Sequence, residues 1–493
     1  MLKFGWSKRD VSIDGPVLIT GQAYERISGG VYDPNQVTAL VIDDGNTVSI
    51  LMSGDFTSIT DGLIHEVRAA IRQKNPAIPA ENVLFSATHT HTAPRYMRRS
   101  DYDKAPIDAI DHISPEQYRK FLVEQASDAV VEAYENRQEG AFSYGYDYAV
   151  VAHHRRSVYR DDPQSPTSAR MYGDPNDPTF CGFEGNVDNS VYFLFTFDAK
   201  DRLTGAIVNV PCPSQCSELE GMLSADYWAQ VRALAKEKYG DIYILPQCAA
   251  AGDMAPRVLN GKPAQQRKYD LQYAGKKFPK ISRTQELYNR IEIAKRIMAA
   301  FDNAYEWATK EKIRNTQLQH TVKQLQLKLW KPTEDEYQSA KNEAAAYASK
   351  GFLRTDNPRA DFGENTFRSL MCAANEAIIH RYESDIDTYT AEIHAVRLGD
   401  VAFVSNPFEL FLSYQHRIQA RSPFVQTFVI QLAASVDADY STSYLCTAPA
   451  AANGGYGASI FSCTVAPAAG DVLVEETLQE LHNLQNNTRI SPA

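Results

Sequence analysis

The sequence predicts a mixed α/β fold, an α+β arrangement of layered mixed β-sheets flanked by helices. Three observations carry that expectation. Apolar runs of strand length alternate with stretches of helical period along most of the 493 residues. The composition, 44% hydrophobic and 23% charged, is that of a globular chain able to bury a large core. No Pro- or Ser-rich linker interrupts the pattern, so 1–493 reads as a single body. Within it, 1–260 forms an N-terminal α/β half, 261–385 a mainly helical insertion, and 386–493 a C-terminal α/β part that completes the site.

The elements follow in order. "VTALVIDDGNTVSILMSGD" alternates as two strands joined by a turn at Asp44-Gly45. "DGLIHEVRAAIRQK" has helical period and leads into "VLFSA", an apolar run of strand length. Ser114, Pro115 and Gln117 spell a capping box with proline at the first helical position, opening the helix that runs to "AYENRQ". Strands are predicted at "AFSYGYDYAV", "VYFLFTFD" and "LTGAIVNVPC". A helix, "ADYWAQVRALAKEKYG", closes on Gly240 before the strand "DIYILPQC". The stretch "NGKPAQQRKYDLQYAGKKFPKISRT" reads as a polar loop. It precedes a long amphipathic helix, "QELYNRIEIAKRIMAAFDNAYEWATK", and an alternating strand, "LQHTVKQLQLKLW". "TEDEYQSAKNEAAAYASKG" and "NTFRSLMCAANEAIIHRYES" are polar helices placed on the outside. Strands at "TAEIHAVRLGDVAFVSNP" and "TFVIQLA" and the helix "DVLVEETLQELHNLQ" finish the pattern.

A net charge of -11 argues against nucleic acid as a partner, because phosphate binding needs concentrated Lys and Arg. Only short basic clusters occur, "HHRRSVYR" and "YMRRS". No apolar run reaches the length of a membrane span, and the first residues lack the apolar core of a secretory signal. Seven irregularly spaced cysteines suit a reducing compartment, so the chain is expected in the cytoplasm without stable membrane association. Self-association is left open.

"NVLFSATHTHTAPR" holds the first functional signal. Alternate residues of extended chain share a face, so His89 and His91 are expected to project together just past the strand, with Pro94 ending the pairing. The carboxyl ends of strands are where crevices form in α/β sheets, and imidazole is the commonest metal-ligating side chain. Two loop histidines bonded to backbone or water satisfy the same spacing.

Five segments, in chain order, together resemble the neutral ceramidase family over its catalytic N-terminal domain, without its C-terminal immunoglobulin-like domain. They are "SATHTHTAP", "HHRRSVY", "AAGDMAP", "NPFELF" and "YSTSYLCT" with its following "GGY". The resemblance implies a zinc ion held by two histidines, a glutamate and a tyrosine. It places His89, Glu409 and Tyr444 as metal ligands, His91 as an acid/base or orienting group, Arg155 on the substrate and Tyr456 at the oxyanion. Read without it, Glu409 also suits a carboxylate at a helix start, the lesser reading, and Tyr444 and Tyr456 equally suit ordinary half-buried aromatics.

Two positions break the pattern. The family's nucleophilic serine falls on Ala255, which cannot attack. The second histidine falls in "VPCPSQCSE", at Pro213 or Ser214, with no histidine nearby. Cys212, Cys216, Glu218 and Glu220 are the local substitutes, since zinc accepts thiolate readily; buried, incidental thiols are the simpler account of both cysteines. Cys248, Asp253, Asp55, Asp226 and His154 sit at strand ends or loops in the matching segments. The expected function is a soluble, metal-dependent hydrolase of a small polar amide, ester or sugar-derived substrate. Metal-activated water, or Cys212 or Cys216, would replace serine, Asp253 would be an acid/base candidate, and Arg155 and Arg156 would bind substrate oxygens. Glycoside cleavage by paired carboxylates among Asp55, Asp226, Asp253 and Glu409, or a catalytically inactive binding homologue, are the alternatives.

Overall fold

The computed structural model describes residues 1–97, 111–276, 278, 283–434 and 443–487. Strand segments with both faces covered must be apolar throughout, and that is why "VTALVID" and "VYFLFTFD" read as continuous runs. Alternate residues divide between two cores. Val37, Ala39 and Val41 pack with Leu63, Ile64, Val67, Leu122 and Val130 of two helices, Asp61–Lys74 and Pro115–Glu135. Leu40 and Ile42 face the other way, against Val396, Phe403, Phe428 and Ile430 of a second sheet.

Among the described residues the larger sheet has eight strands. Their order is Tyr243–Cys248, Leu203–Val210, Ser190–Asp198, Gln138–Tyr148, Lys3–Asp10, Gln36–Asp43, Val48–Gly54 and Val83–Ala87. Only the outermost pair at each end is parallel. The second sheet runs Leu318–Lys328, Thr388–Leu398, Val401–Ser405 and Gln426–Ile430, again with a parallel last pair. Helices cover the outer faces of this two-sheet sandwich. Thr284–Ala308 sets Phe301 edge-on against Phe193 and Phe195, and Ala468–Asn486 brings Leu473, Val474, Leu478 and Leu481 into the same core. The fold class is as expected, mixed α+β with layered sheets between helices.

Most predicted elements are found where expected, including the Ser114/Gln117 capping box and the stop at Gly240. The turn after Asp43 has Gly45 at φ 90°, a backbone that glycine adopts freely. One expectation needs correcting. The polar stretch after Gly261 contains a helix, Lys262–Gln272, whose buried Tyr269 stacks edge-on to Tyr288; a single aromatic anchor replaces the apolar stripe that marks most helices. The helix predicted from Asn365 begins at Pro358, capped by Asn357. It packs on Glu334–Ser349 through stacked Tyr337 and Tyr382, 4.2 Å between centroids. Among the described residues no helix is long and apolar enough to cross a membrane.

Candidate active site

The site forms where the edge strands of the two sheets run out together. Ala87 N donates to Leu432 O, and Ser86 bridges to Ala433, so Val83–Ala87 is stitched to the chain leaving Gln426–Ile430. Gln431 then presents its Oε1 to Leu410 N and Ala251 N, drawing two further segments to the same point. Glu409–Leu410 pairs in parallel with Tyr444–Leu445, with Glu409 opposite Tyr444. Directly paired residues share a face, so a carboxylate and a phenol far apart in sequence come side by side. Residues 440–442, the start of the last family-like segment, lie outside the described residues, as do Arg98 and Arg99 of the basic cluster "YMRRS".

His89 follows the strand in left-handed backbone, φ 63°. Non-glycine residues in that region cost about 1–3 kcal/mol and cluster at functional sites. The two histidines therefore do not meet by strand alternation, as their spacing suggested; a turn aims the rings at each other. Their centroids lie 4.9 Å apart and their Nε2 atoms 3.4 Å apart. His89 Nδ1 donates to Thr57 O at 2.6 Å, and its Nε2 stands 3.3 Å from Glu409 Oε2. His91 Nδ1 stands 3.5 Å from Glu218 Oε2, whose other oxygen is held at 2.6 Å by Arg257. Arg26 fixes this loop from behind, donating to the carbonyls of His91, Thr20, Glu218 and Glu220. Gly21 is pressed so close to His91 that a Cβ there would lie 2.4 Å from its ring.

Arg155 is buried and donates to Gly252 O at 2.8 Å, with its guanidinium 5.1 Å from the Tyr444 ring centroid. Burial opposes its charge, but Tyr444, Tyr172 and Glu409 together outweigh that and hold it protonated well above its ordinary value. Burial likewise opposes the Glu409 carboxylate, and His89, Arg155 and Tyr444 overcome it, leaving Glu409 below the usual range. Burial pushes the Tyr444 phenol well up. It does the same, less strongly, for Tyr456, which hydrogen-bonds Tyr444 and meets it edge-on at 5.4 Å. Burial and the neighbouring His89 and arginines hold His91 neutral. His89, His91, Glu409, Tyr444 and Tyr456 all line one cavity of about 490 Å³. The helix Pro358–Glu383, expected on the outside, supplies an apolar wall to it through Leu370, Met371 and Ala374.

Other candidates are placed elsewhere. Cys212 and Cys216 are core residues whose thiols burial pushes well up, and neither reaches the wall of this cavity. Asp253 accepts from Leu412 N and faces His154 at 3.4 Å in a second cavity of about 450 Å³. Arg156 is consumed by Glu184 and the carbonyls of Gly454 and Tyr456, so it orders the Tyr456 turn rather than a substrate. Asp55 is buried against Arg232, and Asp226 caps a helix through Tyr227 N. Ala255 is fully buried in a short ladder with His153–His154. The residue that occupies the space beside the histidines is Gln215, its Nε2 2.5 Å from His91 Nε2. Nothing in "VPCPSQC" singled it out, because its position depends on the loop's path and not on any local pattern.

The donors can be tested against a tetrahedral cation. Ligand atoms 2.0–2.1 Å from zinc lie about 3.3–3.4 Å apart at the tetrahedral angle. The separation of His89 Nε2 and Glu409 Oε2, 3.3 Å, matches. The hydrogen bond from His89 Nδ1 to a backbone carbonyl is the outer contact that metal-binding imidazoles usually make. Tyr444, hydrogen-bonded to Glu409, is a third donor, an oxygen, beside them. Among the described residues no three His, Cys, Asp or Glu side chains yet close around one point, and Tyr444 lies outside that class.

No family model and no curated protein matches this chain. Solved structures do. The neutral ceramidase from Pseudomonas aeruginosa superposes with a TM-score of 0.68 at 17% identity, over 100% of this chain and 76% of its own. The fold is that of a neutral ceramidase. A second structure, a ceramidase complexed with C2, gives 0.67 at 15% identity with the same coverage. The resemblance read from the sequence is thus borne out at the level of the fold.

Proposed function

We propose that the protein is a hydrolase that holds one divalent cation, zinc first among the candidates, on His89, Glu409 and Tyr444, and cleaves a small amide or ester with a polar reacting group. The observation that carries this reading is the convergence of an imidazole, a carboxylate and a phenol from three separate segments on one cavity. Bound there, the cation would supply charge that polarises a carbonyl and acidifies water. Arg155, fixed by Gly252 O beside Tyr444, adds a permanent positive charge suited to oxygen that becomes negative. Tyr456 presents a hydroxyl to the same place, and Arg156 holds its backbone still. Met97, Leu370, Met371 and Phe461 give the cavity room for an apolar substituent.

Glycoside cleavage is the weaker reading. It needs a second carboxylate facing the first across about 5–9.5 Å, and Glu409 is the one carboxylate among the described lining residues. The test is turnover of a panel of nitrophenyl esters and anilides by zinc-loaded protein. Activity abolished by a chelator and restored by zinc is expected, with Arg155→Lys lowering kcat roughly 100-fold. No turnover by the loaded protein, or turnover indifferent to both chelator and Arg155→Lys, refutes the reading; the first result would favour a non-catalytic homologue.

A further inference from the structure

Resting on the cation site just proposed, the geometry points to His91 as its second imidazole ligand, in place of the acid/base part that the family resemblance gives it. His89 Nε2 stands close to two other electron-rich atoms here. His89 spends its Nδ1 proton on Thr57 O, so its Nε2 offers a lone pair. His91 Nε2 accepts a hydrogen bond from the Gln215 amide at 2.5 Å, so it too carries a lone pair. These two atoms face each other at 3.4 Å, and Glu409 Oε2 stands 3.3 Å from the first of them. Both separations match the edge of a coordination tetrahedron of about 3.3–3.4 Å. A carboxylate beside two imidazole nitrogens is balanced by a proton on His89 or by a cation.

The outer contacts point the same way. A metal-ligating imidazole generally presents its other nitrogen to a carbonyl or a carboxylate, which fixes the tautomer and the ring angle. His89 has Thr57 O. His91 Nδ1 has Glu218 Oε2 facing it at 3.5 Å with no hydrogen bond formed, and Glu218 is anchored on Arg257. Gly21 and Arg26 pack the His91 ring and hold its carbonyl, so the ring is kept in this orientation. Gln215 is what keeps the site from closing. Its side chain is 2% exposed, its Nε2 holds the His91 lone pair, and its Oε1 is buried with no hydrogen-bond partner among the described residues. A cation entering the site takes over that lone pair, and the freed amide can turn its unused oxygen toward the same ion.

The test reads metal coordination and not turnover. X-ray absorption of the zinc-loaded full chain is expected to show two imidazoles in the first shell. His91→Gln should leave one and weaken zinc at least 100-fold by competition with a chromophoric chelator. Glu218→Gln should retain two imidazoles and weaken zinc 10- to 100-fold, as loss of an outer carboxylate does; circular dichroism identifies any variant that fails to fold. One imidazole in the loaded wild type, or zinc affinity unchanged in both variants, overturns the assignment while leaving the His89–Glu409–Tyr444 site standing. Wild-type protein that takes up no zinc, with a lone proton between His89 and Glu409, brings down both.

Discussion

Replacing Glu392 by Gln should cost about 3 kcal/mol of stability at neutral pH, and the loss should shrink in acid. Glu392 lies on the second sheet, 3% exposed, and its carboxylate takes Arg68 Nη2 at 2.7 Å and His394 Nε2 at 3.1 Å. Arg68, 2% exposed, also donates to the carbonyls of Glu81 and Val83, at the start of the strand that delivers His89. The pair thus fastens the second sheet to the strand carrying the histidines. Burial opposes the Glu392 charge, but His394 and Arg68 prevail and hold its pKa at about 2, against an ordinary 4.5. A depressed carboxylate pKa means stability that is fully present above the unfolded value, near pH 4.5, and lost as pH falls through about 2. At 1.36 kcal/mol per pH unit that lowering amounts to about 3 kcal/mol at pH 7, falling to about 1 kcal/mol at pH 3. Leaving a buried partner unpaired costs about 3–5 kcal/mol in other proteins, in agreement. Urea unfolding of wild type and Glu392→Gln at both pH values measures the gap. A gap below about 1 kcal/mol at pH 7, or one that does not narrow at pH 3, refutes the reasoning.

Two further outcomes are expected. Ala255→Ser should leave turnover unchanged, since position 255 is fully buried and does not line the cavity; a tenfold gain measured on the ester panel contradicts that. Thiol titration of native protein should find Cys181 readily, with Cys212, Cys216, Cys248, Cys446 and Cys463 reacting only after unfolding. Fast native labelling of Cys212 or Cys216, located by peptide mapping, would restore them as nucleophile or ligand candidates.

What the sequence discloses depends on how local the cause is. The Asp44-Gly45 turn, the Ser114 capping box and the helix stop at Gly240 are set by neighbouring residues, and each is legible. Strands covered on both faces announce themselves as unbroken apolar runs. The helix Lys262–Gln272 does not, because one tyrosine anchors an otherwise polar segment. The site is non-local throughout. Glu409 and Tyr444 meet through a ladder two residues long, too short to leave any period. His89 and His91 converge through a left-handed residue that spacing alone cannot reveal. Gln215 is placed by tertiary path, so the sequence points to this loop and to Glu218 in it, but not to Gln215. Resemblance singled out His89, Glu409 and Tyr444, which do share one cavity, whereas Asp253 and Cys216, weighed beside them, turn to other surroundings.

The central claim is that His89, Glu409 and Tyr444 share one cation. Anomalous diffraction at the zinc edge, from crystals grown with zinc and again after chelation, tests it most directly. The account predicts a single strong peak within about 2.0–2.3 Å of His89 Nε2, a Glu409 oxygen and the Tyr444 hydroxyl, absent after chelation. A zinc-grown crystal with no peak there, or with its peak beside other residues, contradicts it.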